Sequence, residues 1–154
     1  MDHSVPTYED AQLVLRLYEL RRDEKLREAR AWFGKFTPAT IAEVKAVSAS
    51  TGPENAYYRM VTSYWEMAAS FIVRGVLDLD LFLDSGGEMI FAWSRIAHLL
   101  PQIRTELGTP TFWTNVEKVI HMSPRAQDRA AVLQKRVAAA REQATAARVD
   151  PKTT

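Results

Sequence analysis

The fold of this 154-residue chain is decided by residues 57–103, which read YYRMVTSYWEMAASFIVRGVLDLDLFLDSGGEMIFAWSRIAHLLPQI. The segment holds two of the four tryptophans and a concentration of long apolar side chains. On both sides of its central acidic part, apolar residues recur at helical spacing. The pattern predicts two buried helices, over about residues 54–75 and 88–106, with Gly75 ending the first. Helices that are apolar around most of their circumference are typical of the centre of a bundle.

The connector between these helices, Val76–Asp84, has an ambiguous pattern. Its leucines alternate with acidic residues, which is the period of a strand, but a lone short strand would have no partner. We predict a short helix or turn that Asp78 caps, with three apolar side chains pointing inward, while an extended connector stays open as the alternative. Those side chains are Leu79, Phe82 and Leu83.

The aspartates of the connector do not predict a metal site. Asp78 and Asp80 match the first and third positions of a calcium loop, but such a loop needs oxygen ligands at positions five and twelve. Those positions hold Phe82 and Met89. We therefore expect no bound metal, and no motif predicts a catalytic residue or a cofactor site.

Short motifs mark where the other helices begin. Thr7 and Asp10 match a capping box, and Ser/Thr-Pro pairs are typical of helix starts because proline fits the first turn. These pairs stand at 37–38, 109–110 and 123–124, and Gly52-Pro53 marks a similar boundary. The remaining helices are predicted over about residues 8–33, 38–50, 110–121 and 123–149. In the third of these, Phe112 is predicted to point inward and Trp113 to lie at the flank of the buried face. Pro101 should kink the second core helix near His98 or end it there.

The last predicted helix carries a heptad pattern of mostly small residues, which favours close contact with another helix. Its positions are Ala126, Ala130, Leu133, Val137, Ala140, Ala144 and Ala147. The other helix is the first helix of the same chain, the first helix of a partner, or the symmetry-related copy of the last helix.

These elements predict an all-α, single-domain bundle of about six to seven helices over residues 1–154. It has a buried central helix pair, long amphipathic first and last helices, and frayed ends at 1–6 and 150–154. The net charge is +1, and residues 125–154 carry seven Lys/Arg against three Asp/Glu, so the rest is mildly acidic. The chain has no cysteine, no signal-peptide pattern and no apolar run long enough for a membrane span, so we expect a cytoplasmic protein.

The core segment also resembles a family of small, uncharacterised bacterial helical proteins, described as a domain of unknown function. The resemblance covers about residues 15–120 and includes the preceding run YELRRDEKLREARAWF. It rests on Trp65-Glu66, Gly75, Asp78, Asp80, Trp93 and Ile103-Arg104. It implies an all-helical fold and no reaction. Some relatives carry an N-terminal membrane segment, which this sequence lacks.

Our first functional hypothesis is a non-catalytic intracellular interaction or regulatory module that self-associates through its first or last helix. The acidic connector and the basic last helix are opposite in charge, so we expect contact between them, within or between chains. The predicted partner contacts are Arg125, Arg129, Leu133, Arg136, Val137, Ala140, Asp78 and Asp80.

The alternative is a small-molecule-binding protein or enzyme with a pocket between the core helices near Glu66. Its candidate residues are Glu66, Trp65, Arg74, Trp93, Arg95 and His98. Because buried acids are usually paired, Glu66 is predicted to pair with Arg59, Arg74 or Arg95. A weaker alternative is nucleic-acid binding through the basic last helix. No helix-turn-helix signature precedes that helix, so no nucleic-acid partner is expected.

Overall fold

The computed structural model describes residues 5–149, and within them the chain forms nine α-helices, one 3₁₀ turn and no β-strand. The helices are α1 (Tyr8–Leu20), α2 (Glu24–Phe33), α3 (Ile41–Ser48), α4 (Glu54–Val73), α5 (Leu79–Ser85), α6 (Gly87–Ile96), α7 (Leu100–Glu106), α8 (Thr114–Met122) and α9 (Pro124–Val149). The prediction of an all-α bundle is confirmed. The predicted frayed residues 1–4 and 150–154 lie outside the described residues.

The core is one buried cluster to which all nine helices contribute. The predicted central helices, α4 and α6, bury much of their surface, including Trp65 and Ala68 of α4 and Met89 and Ile96 of α6. Their main neighbours differ, because α4 packs mostly against α2 and α8 while α6 packs mostly against α9. Among the described residues, no helix is both long enough and apolar enough to cross a membrane.

The helix predicted over residues 8–33 is interrupted at residues 21–23, which is one reason why the helices outnumber the prediction. The side chain of Asp23 caps α2, since its Oδ1 accepts a hydrogen bond from the N–H of Leu26 at 3.1 Å. At the end of α1, the carbonyl of Arg21 accepts a hydrogen bond from Arg30 Nη1 at 2.9 Å. Local side chains thus satisfy the backbone groups that a helix end leaves unpaired.

The predicted break near His98 is confirmed. A 3₁₀ turn, Ala97–Leu99, follows α6, and Pro101 lies in the first turn of α7. Proline is tolerated there because the N–H that it lacks would have no partner within the helix.

The connector contains the short helix α5, which confirms the preferred reading of its pattern. Asp78 is the N-cap, with its Oδ1 2.8 Å from the N–H of Leu81, and Phe82 and Leu83 are buried. The backbone N–H of Asp78 also donates to Asp10 at 2.8 Å, which ties the start of α5 to α1.

Two of the four proline-marked starts are displaced. Helices α4 and α9 begin where Gly52-Pro53 and Ser123-Pro124 predict. Helix α3 instead begins after Thr40, whose N–H donates to Glu43 at 2.9 Å, and α8 begins at Thr114 rather than Pro110. Thr109-Pro110 starts a turn that precedes α8, whereas Thr37-Pro38 lies in a short non-helical segment before α3.

The residues in the first half of the heptad pattern of α9 are buried against helices of the same chain. Its buried residues pack mainly against α6 and α8 and not against the first helix. They are Ala126, Ala130, Leu133 and Val137. The assignment of Leu133 and Val137 to a partner surface is therefore wrong, because both are 6 % exposed. The later heptad positions, from Ala140 onward, are exposed.

The predicted contact between connector and last helix is present within the chain. Arg125 Nη1 of α9 lies 2.9 Å from Asp84 Oδ1 of α5. The acidic partner is Asp84 and not Asp78 or Asp80. Both side chains are well exposed, so the pair adds little to stability.

Candidate functional site

The candidate site is built around Trp113, the residue before α8. Its backbone is left-handed, with φ 52° and ψ 34°, a conformation that bulky residues rarely adopt. The indole is 1 % exposed, and its Nε1–H donates to the carbonyl of Thr62 at 2.9 Å. The prediction of Trp113 at the flank of its helix is wrong, because the residue precedes the helix and its side chain is buried.

Glu66 holds the start of α8 in place beside this turn. Its carboxylate accepts hydrogen bonds from the N–H of Asn115 at 3.0 Å, the Asn115 side-chain amide at 2.8 Å and the N–H of Val116 at 3.2 Å. The first N–H groups of a helix have no partner in the helix and attract negative charge. The predicted ion pair with an arginine is therefore wrong, because the amides of α8 take that role.

A groove of about 750 Å³ opens between α4, α7 and the turn at residues 107–113. Glu66 lies at its edge, and most of its wall is apolar or aromatic. We call it the aromatic groove. Its main residues are Tyr58, Ile103, Leu107, Phe112 and Trp113, with Arg59, Ser63 and Glu66 around them.

A ladder of near-parallel aromatic rings forms one side of the groove. Tyr58 and Phe112 lie 4° from parallel with ring centroids 6.1 Å apart, and Phe112 and Trp113 lie 13° from parallel at 5.6 Å. Behind them, Trp113 and Trp93 stack at 6.5 Å. Offset stacks at these distances add to the energy of burial. The ladder therefore gives the groove a flat aromatic wall.

The hydroxyl of Tyr58 is the unusual polar group of this site. It is buried, and within the described residues it has no hydrogen-bond partner. Burial raises the pKa of this phenol well above its usual range, so it is neutral and available as a donor. By contrast, the hydroxyl of Tyr64 donates to the carbonyl of Leu17 at 2.6 Å, and burial raises its pKa to about 12.

The predicted pocket residues do not form one site. Trp65 lines a separate cleft of about 360 Å³ between α2, α4 and α6, and its indole Nε1 is buried with no hydrogen-bond partner among residues 5–149. Arg74 is exposed at the end of α4, and Trp93 lies behind Trp113. Arg95 and His98 lie near Arg141 of α9, and neither of them lines the aromatic groove.

The remaining predicted partner residues are spread over two helices. Arg129, Arg136 and Ala140 are exposed on α9, and Asp80 is exposed on α5. Asp78 is engaged as the cap of α5. Across residues 5–149, no three His, Cys, Asp or Glu side chains converge closely enough to hold a metal ion.

Sequence reasoning missed the groove because its residues come from segments about fifty positions apart. The prediction points Phe112 inward on a helix that starts at Pro110 and leaves Trp113 beside it. A usable signal is present, since two adjacent aromatic residues follow within a few positions of Gly108 and Pro110. Such a pair on a turn is free to line a surface, whereas on a helix adjacent side chains diverge.

The fold and this site define an all-α bundle with an aromatic groove in its side. The chain belongs to the family described as "Domain of unknown function (DUF4760)", whose model matches residues 6–122. The predicted resemblance over about residues 15–120 is thereby confirmed. Neither the curated proteins nor the solved structures include a significant match to the chain. The aromatic groove lies within the matched residues, whereas α9 follows them.

Proposed function

We propose that the protein is a non-catalytic binding module and that the aromatic groove is its recognition site. The ligand is a small, mainly apolar, aromatic molecule with one hydrogen-bond acceptor. The observation that carries this proposal is the buried Tyr58 hydroxyl, which has no partner within the described residues, in the wall of the groove. Leaving a buried donor unpaired costs about 1–3 kcal/mol, so an acceptor that reaches it contributes strongly to binding.

The shape and chemistry of the groove support this ligand class. Small-molecule sites have volumes of roughly 300–1,000 Å³ and are mainly apolar with a few polar groups. The aromatic groove fits this description, with a volume of about 750 Å³. Its ladder of rings favours a planar ligand that stacks on Phe112.

Entry of a ligand requires a small movement of Phe112. Its ring is half-buried and covers that of Tyr58, and it lies on the turn between α7 and α8 rather than in a helix. Turns rearrange more easily than helices because fewer backbone hydrogen bonds fix them. In the proposal, a small rotation of Phe112 uncovers the Tyr58 hydroxyl, and the ligand stacks on the ring of Phe112.

We propose binding rather than catalysis because the carboxylate of Glu66, the acid at the groove, is engaged in structural hydrogen bonds. All the hydrogen bonds of Glu66 described above go to Asn115 and Val116. A general base must reach a proton on its substrate, and this carboxylate is already occupied.

A screen of aromatic fragments, followed in ¹H–¹⁵N NMR spectra of the protein, tests the proposal. The indole N–H signal of Trp113 should shift with each hit, since this group forms a hydrogen bond beside the groove. The signal of Trp32, which does not line the groove, is the internal control. Hits that leave the Trp113 signal unchanged would argue against the aromatic groove as the site.

Tyr58→Phe should raise the free energy of unfolding by about 1 kcal/mol, because it removes a buried hydroxyl that has no hydrogen-bond partner in the described part of the chain. The same change should weaken fragment binding about fivefold, as measured by titration calorimetry. Tyr64→Phe is the matched control. It removes the hydrogen bond to Leu17 and should lower stability by about 1 kcal/mol without changing affinity. A Tyr58→Phe variant that is less stable and binds fragments normally contradicts the proposal.

A second candidate function is self-association, and the exposed face of α1 favours it. Tyr8, Leu15 and Tyr18 lie on one side of this helix and are 74 %, 55 % and 52 % exposed. We call them the α1 stripe. Contiguous exposed apolar surface is typical of interaction sites, and a second copy of the chain would cover both stripes at once.

Leu15→Glu should convert a dimer into a monomer, because the charge would be buried between the two stripes. Light scattering coupled to size exclusion measures the mass. The control is a chain that ends after Val137 and so lacks the exposed part of α9. It should still have the mass of two copies of the shortened chain. A wild-type chain that is monomeric at concentrations of about 100 μM would exclude this function, because a dimer of functional affinity assembles well below that level.

A further inference from the structure

A second site is indicated by two arginines on different helices, Arg95 of α6 and Arg141 of α9. The Nε of each is buried, and neither has a hydrogen-bond partner within the described residues. No ion pair of the described residues includes either arginine. The pKa of Arg95 is lowered by burial and by the charge of Arg141. Two cations in a half-buried place without an acid leave a charge that an anion would offset.

The end of α9 lies over the loop that follows α2, and the two enclose a groove of about 280 Å³. We call it the cationic groove. Lys35, Arg141 and Arg148 line it. The one acid in its wall, Glu43, already accepts hydrogen bonds from the N–H groups of Ala39 and Thr40. The wall therefore carries an excess of positive charge.

Arg141 lies against a histidine and not against an acid. The Nε2 atom of His98 is 2.8 Å from Arg141 Nη1 and 3.0 Å from the carbonyl oxygen of Pro38. A ring nitrogen that accepts from arginine cannot also donate to a carbonyl, so only one contact is a hydrogen bond. An anion that drew the guanidinium toward itself would free His98 Nε2–H to donate to Pro38.

We propose that the cationic groove binds the phosphate group of a small phosphomonoester. Guanidinium groups match phosphate with paired hydrogen bonds, and a dianion offsets the charge of Lys35, Arg141 and Arg148 better than a carboxylate does. The groove has room for a phosphate and a few further atoms, and not for a folded partner.

The position of the site in the chain gives it a further property. Two of the lining residues, Lys35 and Glu43, lie within the residues that match the family, whereas Arg141 and Arg148 lie on α9, which follows them. Beyond Val137, Arg141 is the only half-buried residue of α9, and the others are exposed. A bound phosphate thus fastens the end of α9 to the body of the bundle.

Inorganic phosphate is the probe for the first experiment. At about five times the dissociation constant, phosphate should raise the Tm by about 2–4 °C relative to sodium chloride of equal ionic strength. Arg141→Gln should abolish this rise and weaken binding at least tenfold by calorimetry. Arg136→Gln is the matched control, because Arg136 is exposed on the same helix outside the groove, and it should behave like wild type. Phosphate should also slow amide exchange at residues 141–149.

Two further ligands identify the kind of molecule that carries the phosphate. Glycerol 3-phosphate should bind at least as tightly as inorganic phosphate, with the same dependence on Arg141. A single-stranded oligonucleotide should bind more weakly. Tight binding of the oligonucleotide that is lost equally in Arg136→Gln and Arg141→Gln would overturn the proposal in favour of a nucleic-acid surface. An equal Tm rise in wild type and both variants would overturn it as a general salt effect.

Discussion

Trp113→Ala is expected to lower the free energy of unfolding by about 3–5 kcal/mol, the range for loss of a large aromatic residue from a core. The change removes a fully buried indole, its stacking with Phe112 and Trp93, and its hydrogen bond to Thr62. Alanine keeps a Cβ, so the strain of the left-handed backbone stays. Urea unfolding followed by circular dichroism measures the effect, and a loss below about 1 kcal/mol would contradict the central place of Trp113.

Glycine at the same position separates backbone strain from packing. A left-handed backbone costs a residue with a Cβ about 1–2 kcal/mol, whereas glycine adopts it freely. Trp113→Gly should therefore be more stable than Trp113→Ala by about 1 kcal/mol, since both leave the same cavity. Trp113→Phe keeps most of the packing and should lose only about 1–2 kcal/mol. An alanine variant more stable than the glycine variant would show that φ 52° is not retained.

Glu66→Ala is expected to cost about 2 kcal/mol, because it removes the charged acceptor of three hydrogen bonds at the start of α8. Glu66→Gln keeps one acceptor oxygen and should cost about half as much. Glu142→Ala, at an exposed position of α9, should stay within about 0.5 kcal/mol of wild type.

Amide exchange locates the effect of Glu66→Ala. Because the carboxylate holds Asn115 and Val116, the amides of α8 should lose protection before those of α2. Uniform loss of protection across the bundle would contradict a local cap. Fragment binding should also weaken in this variant, because α8 and the turn with Phe112 adjoin each other.

The helices could be predicted where the signal is local. Asp78 lies three residues before Leu81, so the cap of α5 is visible within one turn of sequence. The heptad pattern of α9 is equally local, and its first half is buried as a pattern of that kind requires. The break at residues 21–23 also has a local signal in Asp23, but the surrounding charged run is equally compatible with a continuous solvated helix.

The candidate sites could not be predicted because they depend on contacts between distant segments. Glu66 meets Asn115, 49 positions later, and neither helical period nor composition indicates that an acid in α4 will cap α8. Arg141 approaches His98 for the same kind of reason. Local patterns determine which face of a helix is buried, but the packing of the helices decides which polar groups meet.

The position of Trp113 should allow binding in the aromatic groove to be followed by intrinsic tryptophan fluorescence. Its indole forms part of the wall of the aromatic groove and stacks on Trp93, so an occupant changes the surroundings of two of the four fluorescent indoles. Emission can therefore follow occupancy without any added dye. The chain has no cysteine, so a single thiol introduced at the exposed Ser63 would carry a second, site-specific label at the edge of the same groove.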